Sequence, residues 1–145
     1  MKQLEANGPV RAMYVCADTA QVIAGKLQRS INISVRRISE KWRNPLDTPD
    51  GYESARLRIF AEMHASGTLR DTTEVWGTIR EDSVRVFRYM RPIFIQAPCL
   101  TCHGDRGAMK EVINAVLQER YPGDRAIGYK AGDLRGAISV KIRLP

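Results

Sequence analysis

The sequence is poor in the residues that most often carry chemistry: its 145 positions hold three cysteines and two histidines. Three is an odd count, so in an oxidising compartment any disulfide leaves one thiol over. Aromatic residues make up only 7%. No run of 18 apolar residues occurs, which excludes a membrane-spanning helix from this stretch of chain. There is no internal repeat and no low-complexity segment. With 43% hydrophobic residues, a disordered tail, a collagen-like repeat and a disulfide-stapled miniprotein are excluded as well. No Ser-His-Asp, paired-carboxylate or phosphate-loop pattern is present, so catalysis of those kinds has no support.

What is there suits one domain over residues 1–145, long enough to bury about two-thirds of its unfolded surface. Lys and Arg outnumber Asp and Glu by 23 to 16, a formal net charge of +7. The basic residues are interleaved with acids, and the densest group is Arg36, Arg37, Lys41 and Arg43. Such a spread, with few aromatics beside it, reads as a solvated surface and not as a nucleic-acid footprint. An anionic cofactor or a negatively charged surface fits the same balance.

Residues 10–31 place Met13, Cys16, Ala17, Ala20, Ile23, Ala24, Leu27 and Ile31 on one stripe, which predicts an amphipathic helix with Cys16 inward. Residues 31–36 alternate as a strand. A loop with two prolines ends at Asp50-Gly51-Tyr52-Glu53, the pattern of a capping box. A second helix over 51–65 should bury Tyr52, Ile59, Phe60 and Met63 and stop at Gly67. Residues 72–79 and 83–90 read as a hairpin joined at Glu81-Asp82. Residues 109–120 form a third helix with Val112, Ile113, Val116 and Leu117 inward, and 136–144 the last strand. This order makes an α+β domain on an antiparallel sheet.

Residues 99–103 read Cys-Leu-Thr-Cys-His, the spacing for covalent c-type haem. Two thiols three residues apart reach the two vinyl groups of one porphyrin, and the next residue, His103, is placed beneath the iron. Pro98 before the motif and Gly104-Asp105-Arg106-Gly107 after it predict a loop. A thioredoxin-like dithiol would need a βαβ setting, which is absent. A zinc site would need a fourth ligand, and Cys16 and His64 would have to converge from separate helices to provide it. Covalent haem implies reduced thiols and attachment outside the cytoplasmic membrane. The expected location is therefore periplasmic or extracytoplasmic, although the N-terminal stretch has no apolar signal-peptide region.

The second axial position is open to Cys16, to His64, to Met13, Met63, Met90 or Met109, or to no residue. Methionine at helical spacing is ordinarily core filling. For Cys16, iron coordination would protect a thiol that oxidation otherwise threatens.

Further blocks run in order along the chain: Val15-Cys16-Ala17, Arg43-Asn44-Pro45, Arg88-Tyr89-Met90-Arg91-Pro92-Ile93, Arg120-Tyr121-Pro122-Gly123-Asp124 and Gly128-Tyr129-Lys130-Ala131-Gly132-Asp133. Together with the Cys-Leu-Thr-Cys-His-Gly motif they resemble the cyanobacterial-type c-haem sensor family. The resemblance implies a PAS-like antiparallel sheet flanked by helices, one covalent haem c on Cys99 and Cys102, and axial ligation by His103 and Cys16. It also implies a haem pocket to which Arg43, Asn44, Tyr89, Pro92 and Tyr129 belong. The expected activity is redox or diatomic-gas (CO/NO) sensing, without enzymatic turnover, in a native setting that includes a membrane anchor, a signalling protein or a homodimer. The competing reading is a low-potential electron-transfer cytochrome with a redox partner protein, and a peroxidase-like haem enzyme is the third.

Overall fold

The computed structural model describes Gly8 and residues 32–145. The helix expected over residues 10–31, and with it Met13 and Cys16, lies outside the described residues. Within them, strands β1 (Ile33–Ile38), β2 (Val75–Glu81), β3 (Val84–Phe94) and β4 (Leu134–Arg143) form one antiparallel sheet in the order β1-β4-β3-β2. Three α-helical segments accompany it: α1 (Gly51–Ala65), α2 (Leu100–His103) and α3 (Glu111–Arg120). The α+β class and the antiparallel sheet are therefore as the sequence implies.

Directly paired residues of an antiparallel sheet share a face. One face carries Ile38, Ala137, Ser139, Arg88 and Met90, and α1 packs on it. Leu57 and Phe60 of α1 meet Ile38, Met90 and Ala137 there, with Leu69 and the half-buried Tyr52, Met63, Val75, Phe94 and Leu134 around them. Phe60 is fully buried, so truncating it to alanine should cost about 3–5 kcal/mol. The opposite face carries Val35, Val140, Tyr89 and Trp76, and Trp76 is largely exposed.

Asp50 caps α1, and the capping box is complete: Glu53 N–H donates to Asp50 Oδ1 at 2.9 Å and Asp50 N–H donates to Glu53 Oε2 at 2.8 Å. The inward stripe is Glu53, Leu57 and Phe60, spaced i, i+4, i+7. Ile59 falls off that stripe and is exposed, which corrects the expectation that it is buried. A carboxylate can head the stripe because its charge is answered on the sheet. Ser139 donates to Glu53 Oε1 at 2.6 Å, Arg36 is paired with Glu53 Oε2, and Arg88 Nη2 lies 3.5 Å from Oε1. Arg88, itself buried, also donates to Asp50 Oδ2 at 2.7 Å and Glu81 Oε1 at 2.8 Å. The network ties the start of α1 to all four strands.

The hairpin turns at Asp82-Ser83, one residue later than expected, because Glu81 pairs with Val84 and both loop residues have positive φ, 48° and 70°. That is the turn whose twist matches the strands it joins. In α3 the buried residues are Ile113, Val116 and Leu117, spaced i, i+3, i+4. Val112 lies outside this stripe and is half exposed, a second correction. Where β4 enters the sheet the register slips between Ile93 and Phe94, so that Arg135 is the extra residue of a bulge. Gly136, at φ 152°, makes the bulge possible: a Cβ there would stand 2.1 Å from the Ile38 carbonyl oxygen.

Candidate functional site

Cys99 closes a 3-10 turn, Ala97–Cys99, that continues directly into α2. The motif is thus a helical turn and not the loop the flanking residues suggest. Pro98 stands at the start of the turn, where its missing N–H costs nothing. Gly104 ends α2 by donating its N–H to the Leu100 carbonyl at 2.9 Å, and a Cβ at this position would approach that oxygen to 2.7 Å. Winding the motif into a turn puts Cys99 and Cys102, at i and i+3, on neighbouring positions of one face. Both are half-buried and no disulfide joins them.

His103 is held by the chain that returns past it. Its Nδ1 lies 2.7 Å from the Ala126 carbonyl oxygen. A carbonyl only accepts, so the ring proton sits on Nδ1 and the lone pair of Nε2 is left bare. Burial pushes the His103 imidazole down to about 3, and the Arg43 guanidinium acts in the same direction, so the ring is neutral at ordinary pH. Tyr129 N–H donates to the His103 carbonyl at 3.0 Å, and Gly128 N–H to the Gly104 carbonyl at 2.8 Å. The Tyr129 ring stands edge-on to the imidazole with centroids 6.2 Å apart. Ile95, Ala126 and Tyr129 form a small buried cluster against which Cys99 and Leu100 pack. Lys41 Nζ lies 4.4 Å and the Arg135 guanidinium 5.6 Å from the centre of the Tyr129 ring, so two cations face its π cloud. A cavity of about 380 Å³ beside the motif is lined by Leu100, Thr101, Met109, Ile113 and Tyr129 among others.

Arg43 reaches the same place from the loop after β1. Its Nε donates to Asp124 Oδ2 at 3.2 Å, and its Nη2 donates both to the Cys102 carbonyl and, at 3.3 Å, to the Ala126 carbonyl. Asp124, whose side chain is fully buried, accepts the Ala126 N–H on Oδ1 at 2.8 Å. Of the residues expected in the pocket, Arg43 and Tyr129 are therefore gathered around His103. Asn44 is engaged in capping the turn Pro45–Asp47, accepting the Leu46 N–H at 3.0 Å. Tyr89 lies on the sheet face that carries Trp76, and its hydroxyl donates to Glu74 at 2.9 Å. Pro92 is buried in β3 opposite Ala137, past the end of β2, where no partner on that side needs its missing N–H. His64 joins α1 to the loop before β4, with Nε2 2.9 Å from the Gly132 carbonyl and its ring 5.9 Å from that of Phe94. Asp124 and Ala126 are the site residues that sequence reasoning misses. Their only signal is the Tyr-Pro-Gly-Asp turn, which says where the chain reverses and not what it touches.

A model of the Tll0287-like family matches residues 1–143. The chain belongs to the Tll0287-like family. It is 32% identical to the protein in the crystal structure of the cyanobacterial heme-protein Tll0287; the match has a TM-score of 0.72 and covers 90% of this chain and 73% of that one. No match was found among curated proteins. In this Tll0287-like chain, Cys99, Cys102 and His103 stand on one helical turn, and among the described residues no group of three or more His, Cys, Asp or Glu side chains is placed to hold a metal ion by itself.

Proposed function

We propose that the chain binds one haem c, attached covalently through Cys99 and Cys102, with His103 Nε2 as one axial ligand and Cys16 as the other, and that it acts as a redox or diatomic-gas (CO/NO) sensor. The observation that carries the haem reading is the contact of His103 Nδ1 with the Ala126 carbonyl, because it leaves the opposite ring nitrogen bare in the residue that directly follows the second motif cysteine. The residues present fit the group: thiols at i and i+3 on one face, a neutral imidazole, and an adjoining cavity in which Leu100, Met109 and Ile113 stand beside Thr101, Asp105 and Lys110. The family match and the likeness to a heme-protein support the same reading.

Bound there, haem supplies a reversible one-electron couple and a site for small diatomic ligands. The protein's part is to hold it. The Ala126 carbonyl fixes the orientation and tautomer of His103, and the Ile95–Ala126–Tyr129 cluster packs against Cys99 and Leu100 and so seats the start of the motif. If Cys16 held the second position as thiolate, it would favour the ferric state, and protonation of its sulfur would weaken that hold. Release of one ligand is a discrete event that can bias a two-state element, and the expected first helix is that element. The domain carries a PAS-like sensor role of this kind in a periplasmic or otherwise extracytoplasmic setting, coupled to a redox partner, a membrane-anchored signalling protein or a second copy, and it performs no turnover.

The test is expression in a host with a c-type attachment system. Wild-type protein should retain haem on a denaturing gel, and Cys99→Ala with Cys102→Ala should lose it. The ferric wild-type spectrum should be low-spin with a thiolate signature that Cys16→Ala abolishes. Absence of covalent haem overturns the cofactor reading. A spectrum unchanged by Cys16→Ala overturns the ligand assignment. Rapid CO binding by the reduced protein supports sensing, and inertness supports electron transfer.

A further inference from the structure

The Ala126 carbonyl oxygen has two partners, and they are unlike. His103 Nδ1 stands at 2.7 Å, and Nη2 of the Arg43 guanidinium stands at 3.3 Å. We infer that Arg43 is a positioning residue that sets how strongly His103 donates to iron, by sharing the carbonyl that orients the imidazole. The inference rests on the haem reading above and deepens it.

The argument starts from the oxygen. A carbonyl has two lone pairs, and a cation hydrogen-bonded to one draws electron density that the other would give to the second donor. With Arg43 in place, the carbonyl is a weaker acceptor for the Nδ1–H of His103. The proton stays closer to Nδ1 and the ring keeps its neutral imidazole character. Strong acceptors at this position make a ligating histidine more basic and more like an imidazolate, which favours the oxidised metal. Arg43 therefore holds the couple at a higher potential than the same carbonyl would alone.

The geometry shows that Arg43 is built into this position. Asp124 fixes its Nε at 3.2 Å while accepting the Ala126 N–H at 2.8 Å, so one buried carboxylate sets both the guanidinium and the peptide it addresses. The other Nη2 contact, to the Cys102 carbonyl, ties the same group to the residue just before His103. Only a planar fork reaches the carboxylate and two carbonyls together. These contacts of Nε and Nη2 are all to a carboxylate and to backbone carbonyls of the segments that hold His103.

The experiment uses the holoprotein. Arg43→Gln removes charge and fork, and Arg43→Lys keeps the charge without the fork. Both should lower the midpoint potential, and both should shift the hyperfine-shifted Nδ1–H resonance of His103 in the ferric protein's NMR spectrum. A merely structural residue would leave that resonance in place. If Arg43→Lys matches wild type in potential and in resonance, the effect is one of charge at a distance and the inference is overturned. It is equally overturned if Arg43→Gln retains covalent haem and neither quantity moves. Should Arg43→Gln fail to accumulate, Arg43→Lys decides alone by the same criterion. A wild-type protein without covalent haem would instead count against the proposed function.

Discussion

Ser139 of β4 donates its hydroxyl proton to Glu53 of α1 at 2.6 Å, joining residues 86 apart in the chain at a point where both are almost wholly buried. Glu53 serves at once as the reciprocal half of a helix cap and as the counter-charge for Arg36 and Arg88. Replacing it with alanine removes a cap acceptor and leaves the buried Arg88 short of one carboxylate. Urea unfolding of Glu53→Ala should show a loss of about 3–5 kcal/mol, the cost of breaking a buried pair from one side. Glu53→Gln, which keeps an acceptor for the Asp50 N–H and for Ser139, should lose less. Equal losses would mean that the charge, which both variants remove, and not the acceptor or the packing volume, is what Glu53 contributes.

The network also predicts an acid limb. Lys141 beside Glu81 holds that carboxyl below its usual 4.5, with Arg88 adding to the effect. For Asp50, burial acts upward, but the Glu53 backbone N–H and Arg88 outweigh it and the carboxyl sits below 3.8. Groups depressed on folding contribute stability that is complete above their unfolded values and is lost as pH falls through the folded ones. Urea midpoints should therefore fall as pH drops below about 6.5, where the unfolded chain's imidazole takes up a proton that the buried His103, pushed down to about 3, does not, and fall further below about pH 4 as these carboxylates protonate. Asp47, held above 3.8 by burial, works in the opposite sense and softens the slope. Glu81→Gln should flatten the limb; if it leaves the slope untouched, the loss arises elsewhere.

Gly136 tolerates no side chain. Alanine there would bring a Cβ into the Ile38 carbonyl and would hold a non-glycine residue at φ 152°. The backbone strain alone should cost about 1–3 kcal/mol, with the clash adding to it. Because the bulge sets the course of Arg135 past Tyr129, the change should also disturb the Cys99–His103 turn. Thermal melting of Gly136→Ala gives the first effect and covalent haem yield the second. A variant as stable as wild type would show that β4 can enter the sheet without the bulge.

His64 Nε2 is occupied by the Gly132 carbonyl. His64→Ala should leave the ferric and ferrous spectra as they are and cost about 1 kcal/mol in chemical denaturation, the worth of a typical hydrogen bond. A changed low-spin spectrum would mean that His64 leaves Gly132 to reach the iron.

The motif was legible in the sequence because its chemistry is local: Cys99, Cys102 and His103 need only their spacing. The capping box at Asp50 and Glu53 was legible for the same reason. The depth at which Glu53 lies was not, since its burial depends on Arg36, Arg88 and Ser139, which arrive from three strands through pairings no short window contains. Ile59 and Val112 were misplaced because apolar residues one position off a stripe satisfy a loose helical period. Arg43 and Tyr129 were recognisable only through a resemblance, which named the residues without their roles. Arg43 and Tyr129 lie around His103, while Asn44 caps a turn and Tyr89 and Pro92 stand in the sheet.

The acceptor that fixes the tautomer of His103 is a main-chain oxygen, and this has a genetic consequence. No codon change at position 126 can delete it. Substitutions can only push it, as a larger residue would in the fully buried space that Ala126 fills, at about 1–3 kcal/mol of overpacking. What can remove it is a change in the length of the return segment between Asp124 and Tyr129, where a single inserted or deleted residue would carry the carbonyl out of reach. Variation in this part of the chain should therefore be permissive in residue type and intolerant of gaps.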